Sequence, residues 1–115
     1  MGLRWLLFGG YAAVLTGASL LPGTDLPVIT YNDKVAHFGA YFLFAILARA
    51  LPLNDRWRKL LLPVLMLYGG LLEVLQGALI PGRHADPLDA LANAVGASCG
   101  WVLASRYWQR RRHAL

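Results

Sequence analysis

A chain of 115 residues that is 57% hydrophobic and only 15% charged holds one domain, residues 1–115, and its apolar share exceeds that of an ordinary soluble domain. The net charge of +5 is not a nucleic-acid signature, because the Lys and Arg fall in short groups between long apolar runs and form no basic face to follow phosphates. A single cysteine, Cys99, excludes an internal disulfide and a cysteine-based metal cluster.

The first apolar run, Trp5 to Leu21, follows Arg4 and stops at Pro22 and Gly23. Its length is near the lower limit for crossing a hydrocarbon core of roughly 30 Å. It also exceeds the ~7–15-residue core of a signal peptide, so a span is the expected reading. Gly9, Gly10, Ala13 and Gly17 form a small-residue face suited to close helix packing. Residues 22 to 33 read as a loop rich in Pro, Asn and Asp.

The second run, Lys34 to Leu51, opens with DKVAHFGAYF and ends before Pro52. Lys34, His37 and Tyr41 share one helical face, which is too polar for lipid tails and should look inward. Residues Pro52 to Lys59 read as a charged loop carrying Asp55, Arg56, Arg58 and Lys59. The third run, Leu60 to Ile80, tolerates Pro63 in its first turn and gathers Gly69, Gly70, Glu73, Gln76 and Gly77 towards its far half. A Pro81-Gly82 break follows.

The fourth run is the best punctuated. Asp86 before Pro87 is an N-cap acceptor followed by proline at the first helical position, with Asp89 in the first turn. Asp86, Asp89, Asn93, Gly96 and Gly100 repeat at helical spacing on one face, and the last two form a GxxxG pair. Tyr107 and Trp108 lead into a basic tail that looks like an interfacial anchor.

The expectation is an all-α, four-helix transmembrane bundle with short loops and helices at about 4–21, 34–51, 59–80 and 87–108. Arg4, the Arg49 to Lys59 group and the C-terminal arginines share one side, so the positive-inside rule places both termini in the cytoplasm of a multi-pass inner (cytoplasmic) membrane protein. The starts of helices two and four and the end of helix three then converge in the outer half of the membrane. They bring Lys34, His37, Glu73, Gln76, Arg83, Asp86, Asp89 and Asn93 together.

Each of these residues has a structural as well as a functional reading. Asp86 is sufficiently explained as a cap, Asp89 as a dipole partner of its helix or of Arg83, and Gln76 and Asn93 as interhelical ties worth roughly 0.6–2 kcal/mol. Glu73 has no such explanation, since no cap or turn rule puts a carboxylate inside an apolar helix end. His37, Glu73 and Asp89 could converge on a divalent ion, but Lys34 and Arg83 compete for the same carboxylates and no H-E-x-x-H pair is present. Neither a metal nor any other cofactor is therefore expected. Ser98 and Thr16 lack an obvious base, which disfavours nucleophilic serine chemistry.

The three patterns DKVAHFGAY, E-x-x-Q and PGRHADPLDALANAVGASCG resemble the VanZ-like family of small membrane proteins. That family carries K-x-x-H, E-x-x-Q and R-x-x-D-x-x-D-x-x-x-N-x-x-G motifs, which fall here on Lys34, His37, Glu73, Gln76, Arg83, Asp86, Asp89, Asn93 and Gly96. The resemblance implies an integral membrane protein of the cell envelope with a link to teicoplanin-type glycopeptide susceptibility, and it does not supply a mechanism. Three readings follow. One is a binding module for a lipid or lipid-linked headgroup, with Lys34 and Arg83 taking an anionic group, Glu73, Asp89, Gln76 and Asn93 taking hydroxyls or amides, and Asp86 completing the site. A second is an enzyme acting on such a headgroup, with His37 and Glu73 as acid and base and Asp89 beside them. The third is a structural or assembly subunit whose polar cluster only specifies packing. A homodimer through a glycine face is also expected.

Overall fold

The computed structural model describes residues 2–20, 30–80 and 86–114, and these form four helices: α1 (Gly2–Ser19), α2 (Thr30–Arg49), α3 (Asp55–Leu79) and α4 (Pro87–Ala114). The Pro22-Gly23 turn, the Pro81-Gly82 break, Arg83 and His84 lie outside the described residues. By length and composition α3 is long and apolar enough to cross a membrane.

Two helix starts differ from the sequence reading. α2 begins at Thr30, not Lys34, so part of the expected loop is helical. α3 begins at Asp55 because Asn54 caps it, accepting a hydrogen bond from the Trp57 backbone N–H at 3.0 Å. The charged stretch read as a loop is thus the first turn of a helix, with Asp55 and Arg58 paired at 2.9 Å one turn apart. Pro63 consequently lies more than a turn inside α3, where it removes one backbone hydrogen bond without ending the helix. Asn54→Ala is expected to cost about 1 kcal/mol, the usual loss for an N-cap, measurable as a lowered unfolding midpoint. An unchanged midpoint would show that the cap is not what starts α3.

The start of α4 follows the expected chemistry: Asp86 Oδ1 accepts from the Leu88 N–H at 2.9 Å and Pro87 is the first helical residue. The helix runs on to Ala114 rather than ending near 108.

Side-chain contacts fix the topology as up-down-up-down. α2 and α4 run parallel, as the pairs Lys34–Asp89, His37–Asn93 and Arg49–Ser105 show along their length. α1 runs antiparallel to α2, since Arg4 meets the Ala50 carbonyl, Phe8 stacks on Phe44 at 5.2 Å, and Tyr11 donates to the Ala40 carbonyl. α1 and α3 are parallel, joined by the Thr16 and Tyr68 hydroxyls and by Gln76 on the Ser19 carbonyl.

The tightest seam is α2 on α4. A Cβ added at Gly96 or Gly100 would overlap the carbonyl oxygen of Phe38 or Phe42 respectively, so the predicted GxxxG pair is used within the chain. Gly69 is similarly confined, facing the Tyr41 ring and Asn93 Cβ, whereas Gly70 has open space. The apolar core centres on Phe44, whose ring meets those of Phe8, Tyr11, Tyr41 and Tyr68.

The two ends of the bundle differ in charge. At one end Arg4 lies over the Trp108 ring at 5.3 Å, and Arg4, Arg49, Arg58 and Arg111 line a cavity of about 330 Å³. At the other end α2 and α4 start and α3 finishes, and there the acidic groups collect.

Candidate functional site

At that acidic end, three helices converge as their residue patterns require. The inward face of α2 delivers Lys34, His37 and Tyr41, the late turns of α3 deliver Glu73 and Gln76, and the polar stripe of α4 delivers Asp89 and Asn93. Glu73, Gln76, Asp89 and Asn93 are the buried polar residues among those described.

Lys34 is the hub of the ion pairs. Its Nζ lies 3.0 Å from Asp86 Oδ2 and 3.0 Å from Asp89 Oδ1, so the ammonium is committed to two aspartates rather than offered to an anionic ligand. Of the two cations expected to compete for the carboxylates, Lys34 takes Asp86 Oδ2 and Asp89 Oδ1, and Arg83 lies outside the described residues. The Lys34 ammonium, and after it the Leu88 N–H, hold the Asp86 carboxyl below the usual carboxylate range.

His37 bridges α2 to α4. Its Nδ1 lies 2.9 Å from Asn93 Oδ1, and its Nε2 lies 3.6 Å from Asp89 Oδ2, longer than a hydrogen bond. His37 therefore reaches both Asn93 and Asp89, and Glu73 lines the same cavity beside it. Glu73 Oε1 accepts from the Asp86 backbone N–H at 2.7 Å, an otherwise orphaned donor at the start of α4. A carboxylate inside α3 thus helps to cap α4, a structural use that no spacing rule within one helix reveals.

The other Glu73 oxygen, Oε2, is buried with no hydrogen-bond partner, and so is the Tyr41 hydroxyl. Both residues line a cavity of about 210 Å³ with His37, Gln76, Asn93 and Gly69, closed on the α1 side by Leu15, Ala18 and Ser19. An unpartnered buried oxygen is costly, and a native structure rarely keeps two in one cavity without a use for them. Gln76 spans the cavity, its Nε2 donating to the Ser19 carbonyl at 2.5 Å.

Seven of the eight residues expected at the site are thus brought to one end of the bundle. Gln76 stands on the α1 side of the cavity and Asp86 at its rim, while the eighth, Arg83, lies outside the described residues. Sequence reading undervalued Tyr41, which is 2% exposed and turns its hydroxyl into the site, and it missed Ser19 altogether. Tyr41 was legible as the third member of the Lys34-His37 face; Ser19 gave no signal, since its backbone carbonyl is what Gln76 uses and any residue supplies one. Ser98 and Thr16 donate to the carbonyls one turn before them, Ala94 and Ala12, as helix-satisfied hydroxyls do.

No family model, no curated protein and no solved structure matches this chain.

Proposed function

We propose that this chain is a four-span integral membrane protein of the VanZ-like kind that recognises a lipid or lipid-linked headgroup in the outer leaflet of the inner (cytoplasmic) membrane. The observation that carries the reading is the 210 Å³ cavity in which Glu73 Oε2 and the Tyr41 hydroxyl are buried without partners, set in a bundle with an apolar exterior.

The exterior supports the membrane part. Large apolar side chains stand exposed on every helix: Leu6 and Val14 on α1, Val35 and Leu43 on α2, Leu67 and Val74 on α3, Leu91 and Val102 on α4. A water-soluble domain rarely presents apolar surface on all its elements at once. The long dimension of 52 Å suits a bilayer of roughly 40–45 Å including headgroups. The arginine-lined end, which also carries both chain-terminal helix ends, is then cytoplasmic, and the acidic cavity faces out. The glycine face left for a homodimer is that of α1, since Gly9, Gly10 and Gly17 have nothing within 4 Å.

Because Lys34 is paired, the described part of the site favours donors on the ligand. Hydroxyl, amide or ammonium groups of a headgroup would meet Glu73 Oε2, Tyr41 and the side-chain oxygen of Gln76. Catalysis on the same headgroup would use His37 and Glu73 as acid and base with Asp89 beside them, and it is distinguished by turnover lost without loss of binding.

The test is native mass spectrometry of the protein in lipid nanodiscs, wild type against Glu73→Gln. A retained headgroup lipid whose occupancy falls at least tenfold in the variant, with helicity unchanged, is the expected result. Equal occupancy would sink the reading. A change in teicoplanin-type susceptibility on deletion is the cellular readout that the resemblance adds.

A second reading, a subunit whose polar cluster only sets helix packing, is favoured by the Lys34 and His37 bridges, which lock α2 to α4. On that reading Glu73→Gln lowers stability and leaves lipid content alone.

A further inference from the structure

We propose that His37, Glu73 and Asp89 form a binding site for a divalent transition-metal ion of the Zn²⁺ or Mn²⁺ type. The three side chains come from α2, α3 and α4, and each offers a ligand atom within 4.8 Å of the other two. Among the described residues this is the one such grouping.

One of the three separations matches a cation site directly. His37 Nε2 and Asp89 Oδ2 stand 3.6 Å apart, too far for a hydrogen bond and close to the roughly 3.4 Å edge of a tetrahedron with metal–ligand bonds of about 2.1 Å. Glu73 is 4% exposed and has one oxygen committed to the Asp86 N–H, while the other is buried without a donor. A metal ion would satisfy that oxygen.

The surrounding contacts are those expected around metal ligands. Asn93 Oδ1 faces His37 Nδ1 at 2.9 Å, and in the tautomer with a proton on Nδ1 the Nε2 lone pair is turned to the carboxylates. Lys34 takes Asp89 Oδ1 and leaves Oδ2 to the cluster. Among the described residues the carboxyls of Glu73, Asp86 and Asp89 face the single ammonium of Lys34, a balance that favours a cation.

An imidazole with two carboxylates selects a transition ion over Mg²⁺ or Ca²⁺, which prefer oxygen alone. Three protein ligands leave at least one coordination position open, and His37 and Glu73 both border the 210 Å³ cavity. The metal site is argued from its own three ligands, and because it takes the Glu73 Oε2 that headgroup recognition also uses, a metal-loaded cavity would hold a headgroup through the ion. Its use rests on that reading: a bound dication would turn an acidic cavity into one that accepts a phosphate oxygen.

The test uses the full chain purified in detergent, stripped with EDTA and titrated with Co²⁺ as an optical probe, then with Zn²⁺ in competition. One metal per chain is expected, with visible Co²⁺ absorption, and an affinity at least tenfold weaker in Glu73→Gln and in His37→Gln at unchanged helicity. Asn93→Ala, which removes only the orienting contact, is expected to weaken binding roughly 10–100-fold. X-ray absorption of the Zn²⁺ form should show one imidazole and otherwise oxygen, a readout on the wild type that needs no variant to fold. The proposal is overturned by no saturable binding at one ion per chain, by two imidazoles on the zinc, or by affinity unchanged in both substitutions. Retention of a headgroup lipid in nanodiscs after EDTA, together with no metal binding, would sink this site and leave headgroup recognition standing. Metal binding without a retained lipid would do the reverse.

Discussion

Gly96→Leu and Gly100→Leu are each expected to abolish the folded bundle, whereas Gly70→Ala leaves it intact. Even the single carbon of an alanine at position 96 would overlap the Phe38 carbonyl oxygen, and at position 100 that of Phe42. A backbone carbonyl in mid-helix cannot turn aside as a flexible side chain can, so α2 and α4 must move apart. Overpacking of this kind costs roughly 1–3 kcal/mol for a small insertion, and leucine adds three more carbons to the same contact. Separation of the seam would also break Lys34 from Asp89 and His37 from Asn93, because those pairs lie along it. Gly70 has nothing within 4 Å, and alanine there is expected to be neutral or to stabilise by about 0.4–1 kcal/mol through the unfolded state. Helical circular dichroism and denaturant titration in detergent would check the series. A Gly96→Leu protein with wild-type stability would mean that α4 does not pack on α2 in this way.

The second large effect is expected at Phe44. This side chain is 2% exposed, and its ring lies 5.2 Å from that of Phe8, 5.6 Å from Tyr11, 5.7 Å from Tyr41 and 6.1 Å from Tyr68. Its ring joins aromatic side chains of α1, α2 and α3 in one cluster. In a water-soluble core Phe→Ala costs about 3–5 kcal/mol. In a bilayer the surroundings are as apolar as the core, so the transfer part shrinks and the lost packing remains, which lowers the expectation to roughly 2–4 kcal/mol. The consequence reaches the site. α1 supplies Leu15, Ala18 and Ser19 to the cavity wall and has no fully buried residue of its own, so it is the helix that Phe44→Ala releases first. Hydrogen exchange should rise in α1 before it rises in α4. Uniform exchange across all four helices would argue against the Phe44 cluster as the anchor of α1.

Much of the architecture is local chemistry and was therefore legible in the chain. Four apolar runs, the Asp86-Pro87 helix start, and the polar faces of α2 and α4 follow from side-chain type and spacing. The gathering of Lys34, His37, Glu73, Asp86, Asp89 and Asn93 at one end follows from short connections between antiparallel neighbours. Helix starts were less legible where a cap competes with charge. Asp55 to Lys59 reads as a loop by composition, but Asn54 captures the Trp57 N–H and the helix begins there.

Only the tertiary structure decided which atom of each polar group is used. Lys34 and its aspartates are more than fifty residues apart, so their pairing depends on the register of α2 against α4, and that register is set by Phe38 and Phe42 carbonyls seated on Gly96 and Gly100. The same seam brings His37 Nε2 to 3.6 Å from Asp89 Oδ2. The placing of α3 leaves Glu73 with one oxygen capping α4 and the other without a partner. By itself the sequence determined that polar groups would meet at one end of an apolar bundle. Helix packing determined which of their valences are spent there and which, like Glu73 Oε2 and the Tyr41 hydroxyl, are left without a partner.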